Sequence, residues 1–340
     1  MNTVRHALLL LSGIALLVGC ATTAPSVPEA STSAPAALKH PLDKSEYRRF
    51  VLDNGLKVLL VSDPRFNKSA AAVVVGVGLF SDPDERTGMA HYLEHMLGLG
   101  TEKYPGVDDF KAYLSENGGY KNAYTDVDHT NYYLEVNHDA FSGAVDRLSQ
   151  LFIAPLFTQD YAEREVNAVN SELQKNLEQD SWRVWRVQNT LARPDHPAGR
   201  FTIGSSESLA DIDRQELLDF HDRYYSTNQM QLCLLGTAPL DSMETWTRRY
   251  FGLIENKNRP TLHFPADYLP PKQTFRLTQI EPIKELRTLE LEFSLPAFLD
   301  HYESKPLSLI GSLIAHEGKG SLLSLLKEEN LATALVAGRG

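Results

Sequence analysis

Nine residues constrain this chain more than any others: Met89-Ala90-His91-Tyr92-Leu93-Glu94-His95-Met96-Leu97. Met89, Leu93, Met96 and Leu97 recur at helical spacing, so the stretch reads as a buried helix. His91, Glu94 and His95 interrupt that apolar pattern. Buried without partners, three such polar groups are expensive. The fold therefore has to press a second element against this helix. Positions i and i+4 share a helix face, so His91 and His95 stand side by side with Glu94 next to them.

Two imidazoles so placed can ligate one cation at the zinc–nitrogen distance of about 2.0–2.1 Å. Glu94 can then hold a water molecule and take its proton, and the order H-x-x-E-H is that of an inverted zinc-peptidase motif. Two surface histidines paired with a glutamate would give the same letters. A catalytic zinc also needs a third protein ligand and an open fourth position. The best source is Arg164-Glu165-Val166-Asn167-Ala168-Val169-Asn170-Ser171-Glu172. Val166, Val169, Leu173 and Leu177 form an apolar stripe there, and Glu165 and Glu172 lie beside it, two turns apart. One could ligate the metal and the other could fix a histidine tautomer; spacing alone is equally met by two solvated carboxylates.

The chain has 340 residues, room for two domains, with 42% hydrophobic and 23% charged residues, an ordinary globular balance. A net charge of −11 argues against a nucleic-acid partner, which calls for basic stripes. Cys20 and Cys233 do not make a disulfide framework. Cys233 lies in the apolar run Met230–Leu235 and reads as a small core residue.

The N-terminus is a targeting segment. Arg5 and His6 precede the apolar run Ala7–Val18, which is too short to span a bilayer. The run ends Leu17-Val18-Gly19-Cys20, which resembles a bacterial lipobox. That resemblance implies residues 1–20 as a lipoprotein signal peptide, cleavage before Cys20 and lipidation of its thiol. It places the protein in the bacterial cell envelope, lipid-anchored on the periplasmic face. Ala21 after the cysteine suggests the outer membrane in a Gram-negative host. Residues 21–44, rich in Ala, Pro, Ser and Thr, read as a flexible tether.

Structure begins near Tyr47. Strand-like runs flank Asp53-Asn54-Gly55, a strong hairpin signal. Ala70–Leu79 reads as a buried strand, and Ala123–Val136 as strand-like. Helices are predicted over 87–98, 107–117, 139–153, 160–180, 211–224 and 239–252, with a strand at 230–236. Strands and helices mix without strict alternation, so the expected fold is α+β, a mixed or antiparallel sheet packed against helices. Residues 45–255 form the first domain. Residues 256–273, with Pro260, Pro265, Pro270 and Pro271, form a linker. A second domain over 274–340 is expected to hold a strand at 286–295 and helices near 303–315 and 319–329. Residues 332–338 look like the start of a further strand, so this domain reads as incomplete.

His91-x-x-Glu94-His95, followed across residues 96–171 by Glu172, resembles the signature of the insulinase/pitrilysin family of zinc metallopeptidases. Gly98–Pro105, Asn122–Thr125, His129–Tyr133 and Arg164–Val169 resemble further family stretches. The likeness runs from Tyr47 to Leu322 and is nearest the insulin-degrading branch, whose members carry four homologous domains. The resemblance implies one zinc per chain on His91, His95 and Glu172, with Glu94 as general base and Glu165 as the carboxylate supporting a ligand. It implies that Asn122 and Ala123 lie on an edge strand that pairs with the backbone of peptide substrates. His129 is assigned no catalytic role and reads as a packing or strand-pairing residue.

The implied reaction is hydrolysis of peptides by a zinc-activated water. Family members close a chamber from two halves, the second donating an arginine and a tyrosine. The sequence contains no such half, so a missing C-terminal half or partner subunit is expected, and these 340 residues alone are expected to bind zinc with weak or no peptidase activity. The competing reading is a non-catalytic peptide-binding or scaffold subunit of the same fold, against which the intact motif argues.

Overall fold

The structure is a computed structural model that describes residues 39–200, 203–270, 276–295, 298 and 301–338. The expected signal peptide, with Cys20, and residues 21–38 of the expected tether lie outside the described residues. The chain divides into Met1–Leu42 and Asp43–Gly340. In the first, His40 Nδ1 accepts the Leu42 amide at 3.2 Å. The second carries the fold.

Asp53-Asn54-Gly55 turns the chain between β1 (Glu46–Val51) and β2 (Lys57–Ser62), which pair antiparallel with Phe50 opposite Val58. Gly55, at φ 86°, supplies the left-handed step of that turn. The chain continues through β3 (Ser69–Val75), α1 (Met89–Leu97), α2 (Asp109–Glu116), β4 (Tyr120–Thr125) and β5 (Thr130–Val136). Then follow α3 (Phe141–Ile153), α4 (Ala162–Leu177), α5 (Asp180–Asn189), α6 (Arg214–Tyr224), β6 (Met230–Gly236) and α7 (Leu240–Phe251). The sheet order is β1-β2-β6-β3-β5-β4. Among the described residues only the β2–β6 pairing is parallel, so the architecture is the mixed α+β sheet expected.

Period-two alternation decides which sheet face is buried. Val73, Tyr132 and Leu232 stand opposite one another across β3, β5 and β6, and all three are buried. The helices cover that face: α1 contacts β4 and β5, α3 contacts β3 and β5, and α7 contacts β1 and β2. Leu93, Met96 and Leu97 of α1 join Phe141 and Leu148 of α3 in one core. β4 is an edge strand. Its Lys121, Ala123 and Thr125 are half-buried, whereas Tyr120, Asn122 and Tyr124 are exposed.

Four expectations need correction. Ala123–Val136 is two strands, because Asp126-Val127-Asp128-His129 turns the chain, with the Asp126 amide on His129 O at 2.8 Å. The helix expected over 160–180 ends at Leu177, and α5 was missed. Its Trp182 and Trp185 are the periodic pair, but none of its residues is fully buried, so the apolar pattern is weak. Residues 286–295 form no strand. Leu289, Leu291, Phe293 and Leu295 do alternate, yet all are exposed and among the described residues no strand pairs with them. Residues 332–338 likewise carry no strand. The two helices expected in this region are present as α8 (Pro306–Ile314) and α9 (Leu322–Glu328). Among the described residues no helix is long and apolar enough to cross a membrane.

One core group makes stability depend on pH. His221 on α6 stacks on Tyr225 and meets Phe157 edge-on, and among the described residues its Nε2 has no hydrogen-bond partner. Burial pushes its pKa down to about 3, reinforced by the Lys257 charge. Above pH 6.5 the ring is neutral in both folded and unfolded chains. Below it the unfolded chain takes up a proton that the folded chain refuses, so stability is lost as pH falls from 6.5 toward 3. The slope for one such group is about 1.4 kcal/mol per pH unit. In urea melts of metal-free protein, His221→Phe is expected to gain about 2–3 kcal/mol on the wild type between pH 7.5 and 4.5.

Candidate functional site

α1 carries two imidazoles and α4 carries the carboxylates, and the two helices pack together. His91 Nε2 lies 3.7 Å from a Glu172 carboxylate oxygen, and His95 Nε2 lies 3.8 Å from the same oxygen. The two rings stand nearly perpendicular, centroids 4.8 Å apart. One donor atom from each of the three residues falls within 4.8 Å of the others.

The far side of each ring fixes which nitrogen is bare. His91 Nδ1 donates to the Ile203 carbonyl at 2.8 Å, and His95 Nδ1 faces Glu165 Oε2 at 3.3 Å. A carbonyl can only accept, so the neutral His91 ring presents an unprotonated Nε2 to Glu172. Arg164 holds the other Glu165 oxygen at 2.9 and 3.0 Å. The His95 hydrogen bond and Arg164 together keep the Glu165 carboxyl below its ordinary range despite its burial. Burial pulls His95 down, but Glu165, Glu94 and Glu172 outweigh it and raise the ring.

Glu94 is held separately. Thr125 Oγ1 on β4 donates to Glu94 Oε2 at 2.6 Å, which leaves the other oxygen free of that bond. Burial pushes the Glu94 carboxyl up, against the pull of His91, Thr125 and His95. A cavity of about 580 Å³ opens over these groups, lined by His91, Glu94, His95 and Glu172, with Asn122 and Ala123 of β4 on one wall and Trp182 and Trp185 of α5 among the other lining residues.

The start of α1 is fixed by groups that the sequence pattern does not single out. Gly88 precedes it at φ 91° without a side-chain cap of its own. Buried Asp82 takes over, accepting the Gly88 amide at 2.7 Å and the Ala90 amide at 2.8 Å. A carboxylate suits the positive end of a helix. Arg200 donates to the Asp82 carbonyl at 2.7 Å, which links this cap to the segment that supplies the Ile203 carbonyl. A Cβ on Gly88 would sit 2.2 Å from Gly204 Cα, so the two backbones meet only as glycines.

Sequence reasoning thus placed Glu94, His91, His95, Glu172 and Glu165 in one cluster, and the structure brings all five together. Asn122 and Ala123 line its cavity. His129 stays out of it, its ring beside Asp128 and edge-on to Tyr124. Thr125, Asp82 and the Ile203 carbonyl were missed. Asp82 carries only the weak signal of an acid shortly before a helix, and a main-chain carbonyl has no sequence signal at all.

Two neutral-capable imidazoles and one carboxylate, each histidine braced through its other nitrogen, are a zinc donor set, and the residues present fit that ion. Removing such a brace commonly weakens metal binding about 10–100-fold. Glu165→Gln is expected to show a loss of that size in calorimetric zinc titration, with unchanged circular dichroism.

Fold and donor set together define the class: an α+β scaffold with the H-x-x-E-H helix of inverted zinc peptidases. The chain matches Insulinase (Peptidase family M16) over residues 57–195 and Peptidase M16 inactive domain over residues 211–339. Between them the two matches take up most of the chain, and it belongs to the M16 insulinase family. It is 44% identical to the insulin-degrading enzyme of Homo sapiens over 308 residues, 88% of this chain and 30% of that protein. It is 42% identical to the A-factor-processing enzyme of Saccharomyces cerevisiae, again over 88% of this chain and 30% of the relative. The crystal structure of pitrilysin superposes with a TM-score of 0.78 at 34% identity, covering 89% of this chain and 33% of that one. The chain thus spans about a third of the length of these relatives. The stretch matched as the inactive domain includes β6, which completes the sheet under the donor cluster.

Proposed function

We propose that this chain is the metal-bearing portion of a zinc metalloendopeptidase, with one zinc held by His91, His95 and Glu172 and Glu94 as general base. The convergence of three donors from two helices beside a separately held carboxylate carries the reading. Zinc bound there supplies a lowered water pKa and polarisation of a carbonyl oxygen. Glu94, with one oxygen on Thr125, takes the proton of the attacking water on the other and passes it to the leaving amine. Ile203 and Glu165 keep the two imidazole Nε2 atoms turned to the ion.

Peptide binds along β4. Its outer edge has no neighbouring strand among the described residues, so Asn122 and Ala123 offer main-chain groups to an added strand. That mode gives affinity with little dependence on sequence. The relatives are about three times as long, and Leu289, Leu291, Phe293 and Leu295 stand exposed. Both observations support a further half, in the same polypeptide or as a partner subunit, that closes the chamber over this edge. We assign residues 256–273 to a linker and 274–340 to part of a second homologous domain.

Calorimetric titration is expected to give one zinc per chain, and peptide hydrolysis by the full-length protein is expected to stop with a chelator and return with zinc. A stoichiometry near zero, or hydrolysis indifferent to chelation, overturns the proposal. At the N-terminus, Leu17-Val18-Gly19-Cys20 supports lipidation of Cys20 and anchoring at the periplasmic face of a bacterial envelope membrane. Radiolabelled palmitate should mark the wild type and not Cys20→Ala in a bacterial host; an unlabelled wild type defeats the anchor.

A further inference from the structure

The cavity over the donor cluster is electrically lopsided. Glu94 and Glu172 line it near the histidines, and among the described residues lining it Lys121 is the only lysine or arginine. Its ammonium is half-buried, 5.7 Å from the centroid of the Phe110 ring. It also lies 3.1 Å from where a Cβ on Gly98 would be, against the end of α1. The ring face and the negative end of the helix hold a cation in place. Neither gives it a carboxylate. Among the described residues Lys121 forms no ion pair or hydrogen bond, although Glu94 and Asp108 lie close enough to feel its charge. Burial accordingly pulls its pKa down. A desolvated ammonium facing an open cavity is costly until an anion meets it.

Register says where that anion comes from. Lys121, Ala123 and Thr125 project from β4 toward α1, and Thr125 bonds the general base. β5 occupies one side of β4, with Leu134 opposite Lys121, and the other side is the edge. A peptide strand added there points every second side chain to the same face. The residue opposite Lys121 has its Cβ about 4.5–5.5 Å from the lysine Cβ, within reach of a carboxylate. It lies four positions, about 13 Å, along the peptide from the residue opposite Thr125.

We propose that Lys121 is a specificity-determining residue that selects peptides with an acidic side chain four residues from the one facing Thr125. The inference rests on the peptide-binding reading above. The competing role is that of an inward-pointing charge that keeps an edge strand from pairing with another copy.

The test uses full-length, zinc-loaded Glu94→Gln protein, which holds peptide without cutting it. Fluorescent twelve-residue peptides, otherwise neutral, carry one glutamate, glutamine or lysine at each position in turn, and anisotropy gives Kd. One position should favour glutamate roughly tenfold, the scale of one charge-assisted contact. Adding Lys121→Gln should bring that ratio to one, and Lys121→Glu should make lysine the preferred residue there. Matched zinc content in all variants shows that each is folded. If peptides bind but the glutamate preference is absent or survives Lys121→Gln, the role of Lys121 is overturned while peptide binding stands. A variant that merely self-associates more points to the edge-guarding role and also overturns it. If none of the peptides binds, the peptide reading fails and this inference falls with it.

Discussion

Glu94→Gln is expected to lower peptide hydrolysis about 10²–10⁴-fold, the usual contribution of a positioned general base, while zinc content stays at the wild-type level. The two readouts separate because Glu94 is not in the donor triangle. His91, His95 and Glu172 place their ligand atoms within 4.8 Å of one another, whereas Glu94 is tied to Thr125 across on β4. Glutamine keeps the size and can still accept the Thr125 hydroxyl, so the helix and its packing survive. It cannot take a proton from water. A variant with wild-type turnover would remove Glu94 from the reaction.

Loss of a donor is expected to act on the metal itself. His91→Ala, His95→Ala and Glu172→Ala each leave two of three protein ligands, and a catalytic zinc ordinarily has three. Stoichiometric zinc binding should disappear in all three, by calorimetry and by metal analysis after gel filtration. The two histidine changes carry a further cost that Glu172→Ala does not. His91 is buried and its Nδ1 is the partner of the Ile203 carbonyl. His95 is the partner of Glu165, whose carboxyl then keeps only Arg164. Leaving such groups unpaired costs about 1–3 kcal/mol each. Glu172 is more open, at 44% side-chain exposure, so its removal should leave the melting temperature of the metal-free protein nearly unchanged. Zinc bound at full stoichiometry by Glu172→Ala would break the assignment of the third ligand.

How much of this was legible beforehand follows from the range of each interaction. His91, Glu94 and His95 lie within one turn and a half of one helix, so the 3.6-residue repeat alone puts them together. Glu172 was legible at one remove, because the stripe Val166, Val169, Leu173 fixes which side of α4 faces the core; Val169 and Leu173 are indeed buried. What spacing could not decide was whether Glu165 or Glu172 approaches both rings, and family resemblance supplied that choice. The Thr125 hydroxyl on Glu94 and the Ile203 carbonyl on His91 join residues far apart in the chain, and no local pattern encodes them. Helix α5 escaped because its apolar residues are only half-buried. The strand expected at 286–295 shows the opposite failure. Its alternation is genuine, but alternation describes a residue's two faces, and a strand also needs a neighbour to accept its hydrogen bonds.

The position of β6 bears on how the molecule is made. β1 and β2 form a hairpin, and β3, β5 and β4 form a second group, but β6 alone joins them, and it lies at Met230–Gly236. A nascent chain leaving the ribosome therefore exposes two half-sheets with open inner edges until some 170 residues after β2 have been synthesised, the span between Ser62 and Met230. Such edges invite intermolecular pairing, so yield is expected to rise with chaperone supply or faster translation through this interval. Stalling before residue 236 should give insoluble product even though both imidazoles and both α4 carboxylates have already been made.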